Sequence, residues 1–374
     1  MKNQIRNILT VLMIALNASA ISQTDSARAK FETLPIVSYD SDVGFGYGAK
    51  IFFFDQFKLK ESFDLILFNS TKGERWYKFV FSIPDFEARQ GTKYPIALDL
   101  VIEYDKFTNY IYYHNWNPFI GFPYTDENIE DKDIGTYEKA NVGIFVSRAF
   151  LKDFTATLAL QLKSFSLYNF ANHDSDYYLY VFNSNSKPES ATFLSALINI
   201  KWDTRNSFIN PKSGIITKLE IEYSKNLNLN DMAFLRALFS FSFNKEIFSK
   251  DLIFAFRGSS ESVAAFKESS YFSLIHIGGN NTVRGIPMDK YCFDSALLFN
   301  SELRFPIWWR FGGILGIDLA TGKNDTFGYL NRDAGWLFGT VAGLRFYMDN
   351  FIVRADLGIS KNSSGLYLNF GHMF

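Results

Sequence analysis

From Leu297 to Phe305 the side chains change character at almost every step: Leu297, Phe299, Leu303 and Phe305 share one face, and Asn300, Glu302 and Arg304 share the other. A period of two belongs to a β-strand with two unlike faces, and helical spacing does not fit it. The pattern recurs along the chain. Phe79, Phe81 and Ile83 stand against Lys78 and Ser82, and Leu98, Leu100 and Ile102 against Asp99 and Glu103. Leu158, Leu160 and Leu162 oppose Gln161 and Lys163, and Leu219, Ile221 and Tyr223 oppose Lys218, Glu220 and Glu222. Phe239, Phe241 and Phe243 oppose Ser240, Ser242 and Asn244. A soluble sandwich also alternates, so strand length has to decide. Several runs extend for about ten residues, which suits a tilted strand crossing hydrocarbon better than the five or six usual in globular sheets. The apolar faces are rich in aromatics, with 41 Phe and 20 Tyr in the chain. A mean hydropathy of -0.05 fits such a barrel, because outward apolar and inward polar residues cancel. The expected fold class is therefore all-β, a transmembrane antiparallel β-barrel.

The N-terminus carries a different signal. Lys2 and Arg6 precede an uncharged run from Asn7 to Leu16, followed by Ala18-Ser19-Ala20. A basic segment, a short apolar run and an A-x-A site make a secretory signal peptide; a membrane anchor would need about 20 apolar residues. Residues 1–20 are read as the signal, 21–30 as a short N-terminal segment and 31–374 as the barrel. No cysteine stands at the cleavage site to take a lipid anchor, and the single Cys292 cannot form an intrachain disulfide. A net charge of -1 gives no basic field for nucleic acid.

Counting alternating runs gives about 16 strands: 34–39, 45–54, 63–70, 77–83, 96–104, 138–150, 155–168, 193–203, 214–224, 234–244, 252–259, 296–305, 313–320, 338–348, 351–360 and 366–374. An even number lets both chain termini face the periplasm. Short connections such as Leu151-Lys152-Asp153 and Met348-Asp349-Asn350 then read as periplasmic turns, and the stretches 114–133, 170–190 and 260–295 as extracellular loops. Leu366, Leu368, Phe370, His372 and Phe374 read as a last strand with its side chains toward lipid.

Against this background Gly278-Gly279-Asn280-Asn281-Thr282-Val283-Arg284-Gly285 resembles the Val-Arg-Gly motif in the sixth long loop of the BamA/TamA, or bacterial surface antigen, superfamily. It lies between the eleventh and twelfth strands, as that family requires. Asp203-Thr204-Arg205-Asn206 with Asn210-Pro211-Lys212-Ser213-Gly214 resembles the family's mid-barrel turn. Glu302-Leu303-Arg304-Phe305-Pro306 resembles its twelfth strand, and Gly316-Ile317-Asp318 the element that follows. The resemblance implies that the loop folds into the lumen and brings Val283, Arg284 and Gly285 with it. A shielded arginine needs an anion. Asp318 shares lumen parity with Gly316 and Ala320 and is the expected partner, with Glu302, Arg345 and Asp356 as neighbours. Without the resemblance Arg284 would read as an exposed loop arginine, the commoner case.

The resemblance carries three functional readings. In the family the seam between first and last strands is weakly paired and opens toward lipid, which implies insertion or assembly of outer-membrane proteins. Pro35 and Phe374 mark that seam here; Pro35 lacks an N–H donor, although a proline at a strand start is also tolerated. Members usually carry soluble POTRA domains ahead of the barrel, and residues 21–30 leave no room for one, so a separate periplasmic or lipoprotein partner is expected. The second reading is a dedicated translocation or anchoring barrel for a surface protein, with 115–133 and 169–186 as contact loops or simply as solvated surface. The third is a passive channel, since Lys50, Lys163, Lys201, Glu220, Glu222, Arg257 and Arg304 make a polar lumen that an inserted loop would plug. An enzyme is not expected. His114, His173, His276 and His372 show no metal or nucleophile spacing, and the glycines of 278–285 fit no phosphate loop, so neither catalytic, cofactor nor metal residues are assigned. The implied location is the outer membrane, in contact with its lipid.

Overall fold

The computed structural model describes residues 31–374 except 114–131, 170–189, 229–231, 267–269, 327–334 and 350. The expected signal peptide, the segment 21–30 and most of the two candidate contact loops lie outside the described residues. The strands are β1 Phe31–Asp40, β2 Gly44–Phe54, β3 Ser62–Ser70, β4 Glu74–Ile83, β5 Ala97–Tyr113, β6 Lys132–Leu151, β7 Phe154–Tyr168, β8 Ser190–Asp203 and β9 Gly214–Asn226. They continue as β10 Ala233–Glu246, β11 Ile253–Phe266, β12 Ile275–Ile277, β13 Tyr291–Phe293, β14 Ser295–Trp308, β15 Phe311–Lys323, β16 Leu337–Tyr347, β17 Ile352–Ser360 and β18 Ser364–Phe370. All but β12 and β13 join one closed antiparallel barrel of sixteen strands, with β1 meeting β18. β12 and β13 form a small hairpin inside the long connection between β11 and β14.

Alternation sets which face looks out. Along β14 the side chains of Asn300, Glu302 and Arg304 are buried while Leu297, Phe299 and Leu303 are partly exposed. Ile144, Leu158, Leu160, Leu315 and Phe338 are exposed on neighbouring strands. So continuous an apolar belt would be unstable in water and is what the hydrocarbon layer covers. One rim carries the connections 55–61, 84–96, 152–153, 204–213, 247–252, 309–310 and 348–351, and is called the turn end below; the opposite rim, with the longest connections, is the loop end.

Three strands run further than their alternation indicates. β5 continues to Tyr113, β6 starts at Lys132 and β11 continues to Phe266. In these extensions many inward side chains are aromatic or aliphatic, with a few polar ones such as Asp133 and Glu261 among them, so no continuous polar face marks them. Phe107, Tyr110, Tyr112, Phe193, Phe234 and Val263 pack with Tyr271, Phe272, Leu274 and Phe293 in an aromatic core that fills the loop end of the lumen. A register shift between Phe107 and Tyr110 further breaks the period.

The end of the barrel corrects the sequence reading. β18 stops at Phe370, and Phe374 is not part of the seam. Gly371 takes a positive φ of 76° and donates its N–H to the Ile352 carbonyl at 2.7 Å, which turns the chain inward. His372 therefore leaves the lipid face; its Nε2 lies 3.2 Å from Asn210 Oδ1. The Phe374 ring packs against the guanidinium groups of Arg257 and Arg304, each 5.3 Å from its centroid. Cation–π attraction in a shielded site outweighs one more rung of strand pairing.

Candidate functional site

Two features stand out from an ordinary barrel wall. The first is the tip of the connection between β11 and β14, folded into the lumen. The tip braces itself: Gly278 N–H donates to Thr282 Oγ1 at 2.8 Å, Thr282 Oγ1 donates back to the Gly278 carbonyl at 2.8 Å, and Gly279 N–H donates to the Ile286 carbonyl at 2.8 Å. Gly285 has a φ of 96°, and a Cβ there would stand 2.7 Å from Ile359 N. On the wall, a Cβ at Gly358 would stand 2.5 Å from the Arg284 carbonyl carbon, and one at Gly339 2.5 Å from the Arg284 oxygen. Glycines on β16 and β17 thus form a slot for backbone approach. Gly285 N–H also donates to Tyr367 Oη at 3.1 Å, and its carbonyl accepts from Ser363 Oγ at 2.6 Å. Val283 is fully buried beside this slot.

Arg284 is wholly buried in a network of fixed charges. Its N–H, Nε and Nη2 donate to Asp318 at 3.1, 2.9 and 3.0 Å, while Nη1 donates to Glu302 at 2.7 Å and Asp356 at 3.0 Å. The structure thus brings all five sequence-selected charges together, because Arg345 pairs with Asp356 and lies 3.5 Å from Glu302. Other members were not selected for this cluster. Arg304 Nε donates to Glu302 at 2.9 Å, Asn300 bridges Asp318 and the Thr282 carbonyl at 2.7 Å each, and Arg257 Nη2 donates to the Asn281 carbonyl at 2.7 Å. Arg354 Nη1 lies 3.8 Å from Asp356. Lumen parity with Asp356 was the signal that could have found Arg354. Such an assembly can lock the loop to the wall: each charge is desolvated, and only the complete set compensates the others.

The second feature is the seam. β1 and β18 share only two register pairs, Tyr39↔Leu368 and Asp40↔Tyr367, extended by Ser41 N–H to the Leu366 carbonyl at 3.1 Å. β17 and β18 by contrast pair from Val353↔Phe370 to Ile359↔Ser364. Phe31 to Ser38 have partners on β2 and none on β18. Pro35, opposite Ala49, sits in this one-sided stretch. The pairing stops two residues before the end of β18, and the inward turn at Gly371 then removes the residues that would face the start of β1.

The remaining lumen holds water-sized spaces along β5 to β10, including a cavity of about 430 Å³ lined by Lys163, Glu222 and Arg236. Lys163 pairs with Glu222 at 2.6 Å and Arg236 with Glu261 at 3.5 Å. Among the described residues no group of His, Cys, Asp and Glu could hold a metal ion. Cys292 Sγ lies 3.3 Å from His276 Nδ1, but burial holds the thiol well above its usual range, against a nucleophilic role.

Comparison with known proteins places this geometry. The Omp85 superfamily domain matches residues 65–373. BamA from Haemophilus ducreyi, solved without POTRA domains 1–3, is similar with a TM-score of 0.64 and 11% identity over 92% of this chain and 71% of that one. CdiB from Escherichia coli is similar with a TM-score of 0.63 and 11% identity over 93% and 64%. CdiB from Acinetobacter baumannii gives a TM-score of 0.56 and 12% identity over 93% and 61%. The chain thus spans less than two thirds of the two CdiB chains. No curated protein matches in sequence.

Proposed function

Because the chain belongs to the Omp85 superfamily, we propose that this outer-membrane barrel inserts or assembles other membrane proteins by offering the free edge of β1 to an incoming strand. The observation that carries this reading is the stretch from Phe31 to Ser38, a lipid-facing edge with no β18 partner. An exposed strand edge presents unpaired N–H and C=O groups, and in hydrocarbon each costs several kcal/mol, roughly, until another strand pairs with it. The turn end faces the periplasm and receives the incoming chain. A separate periplasmic or lipoprotein partner delivers it. No catalytic centre is needed: pairing free energy drives the step.

Similarity to CdiB favours a second reading, a dedicated translocation barrel. It requires the loop held by Arg284 to leave the lumen, whereas seam opening leaves that lock intact. A passive channel is less well supported, since the aromatic core fills the loop end.

A disulfide across the seam separates these readings. In a Cys292→Ser background, Tyr39→Cys with Leu368→Cys places the two thiols at directly paired positions. Oxidation is expected to abolish insertion of a second barrel protein into proteoliposomes, and reductant to restore it. Full activity of the locked barrel would refute the seam mechanism.

A further inference from the structure

The turn end of the lumen holds a cavity of about 390 Å³ between the connection 84–96 and the ends of β5 to β8. This is within the range of roughly 300–1,000 Å³ found for ligand sites. The connection lies against the barrel mouth as a shelf: Asp85 N–H donates to the Lys60 carbonyl at 2.6 Å, and Ala149 N–H to the Tyr94 carbonyl at 3.1 Å. From its single helical turn, Phe86–Arg89, Arg89 reaches Asp99 with Nη1 at 3.1 Å and Nη2 at 2.6 Å. Arg89 is 7% exposed, and its Nε is buried without a hydrogen-bond partner among the described residues. Across the cavity, Arg205 donates from Nε and Nη2 to the two oxygens of Asp203 at 2.9 and 2.8 Å.

Once these two bidentate pairs are counted off, the lining keeps Lys152 and Asp153 in the turn before β7 and, on a barrel strand, Lys201. It lines the cavity and has no ion pair among the described residues; the carboxylate that acts on it, Asp203, already has both oxygens engaged by Arg205. Three aromatic side chains, Phe86, Tyr94 and Phe208, share the lining with polar groups such as Thr155, Thr157 and Asn199. Arg89 lies 5.5 Å from the Phe86 ring and 5.8 Å from Tyr94, and Arg205 lies 5.7 Å from Phe208. A half-buried cation without an ion pair attracts an anion more strongly than a fully solvated one does, because less water screens it.

We propose that this cavity seats an acidic side chain of an extended periplasmic polypeptide, with Lys201 as its charge partner and Phe86, Tyr94 and Phe208 framing the flanking residues. The assignment rests on the reading that the barrel receives chains at its periplasmic end. The cavity opens inside the barrel mouth, away from the surrounding bilayer, so a lipid headgroup has no direct route to it. A free phosphate would use the lysine but not the aromatic frame.

The test uses the full-length barrel in detergent and a fluorescent decapeptide of alternating Glu and Phe, with its Gln counterpart as control. Anisotropy is expected to show binding of the Glu peptide, about tenfold weaker binding of the Gln peptide, and a similar loss for Lys201→Gln. Heat-modifiable migration on gels confirms that the variant is folded. Equal binding of both peptides, unchanged binding by the variant, or displacement of the peptide by inorganic phosphate at matching concentration would each overturn the assignment. Peptide binding should persist in the disulfide-locked seam, so failure here is distinct from failure of the insertion reading.

Discussion

Arg284 illustrates how one side chain can hold a loop of this length. It donates to three carboxylates, and none of the four groups touches solvent. Taking one member away leaves buried charge without compensation, which costs about 3–5 kcal/mol in comparable sites. Arg284→Ala and Asp318→Ala are each expected to lower the free energy of unfolding, read from urea melts, by an amount in that range. The double variant should lose less than the sum, because it removes both halves of one interaction. Strict additivity would contradict a coupled network. Arg284, Asp318, Glu302, Arg345 and Asp356 were legible because a motif and strand parity pointed at one another. Gly339 and Gly358 were not. Their role is to admit the backbone of a loop far away in the chain, and nothing local to β16 or β17 records that approach.

Among the elements, the strands were legible wherever one face meets lipid and the other meets polar lumen, and less so where aromatic and polar side chains mix on the inward face. That is why β5 and β11 outrun their alternation into the aromatic core. β18 failed in the opposite sense: Leu366 to Phe374 alternate well, yet Gly371 breaks the strand and the aromatic end finds Arg257 and Arg304 instead. The turn between β1 and β2 links the seam to the plug, because Asp42 accepts the Met288 N–H at 3.0 Å. Burial, with Asp40 nearby, pushes the Asp42 carboxyl up to about 7. A carboxyl raised in the folded state contributes stability that is whole below its unfolded value, near 4, and is lost as pH rises through about 7. Thermal midpoints of Asp42→Asn should therefore gain on wild type between about pH 4 and about pH 7, then run parallel. Parallel curves throughout would remove Asp42 from the account.

At the scale of the whole molecule, the lumen is divided. The loop tip and its charges occupy the side formed by β14 to β18, the aromatic core fills the loop end, and the open spaces follow β5 to β10 toward the turn end. Sequence made the single barrel, its strand number and its plug legible, since each follows from pattern or motif. The division was not legible, because it arises from contacts between segments far apart in the chain. Under the proposed seam mechanism its consequence is mechanical: the thin pairing of β1 with β18 gives way while the Arg284 lock on β14, β15 and β17 holds. Hydrogen–deuterium exchange on the barrel in lipid nanodiscs tests this most directly. Amides from Phe31 to Ser38 and along β18 are expected to exchange well before those of β14 to β16, with the 278–286 loop tip protected. Uniform protection around the barrel, or a loop tip that exchanges ahead of the seam, would contradict it.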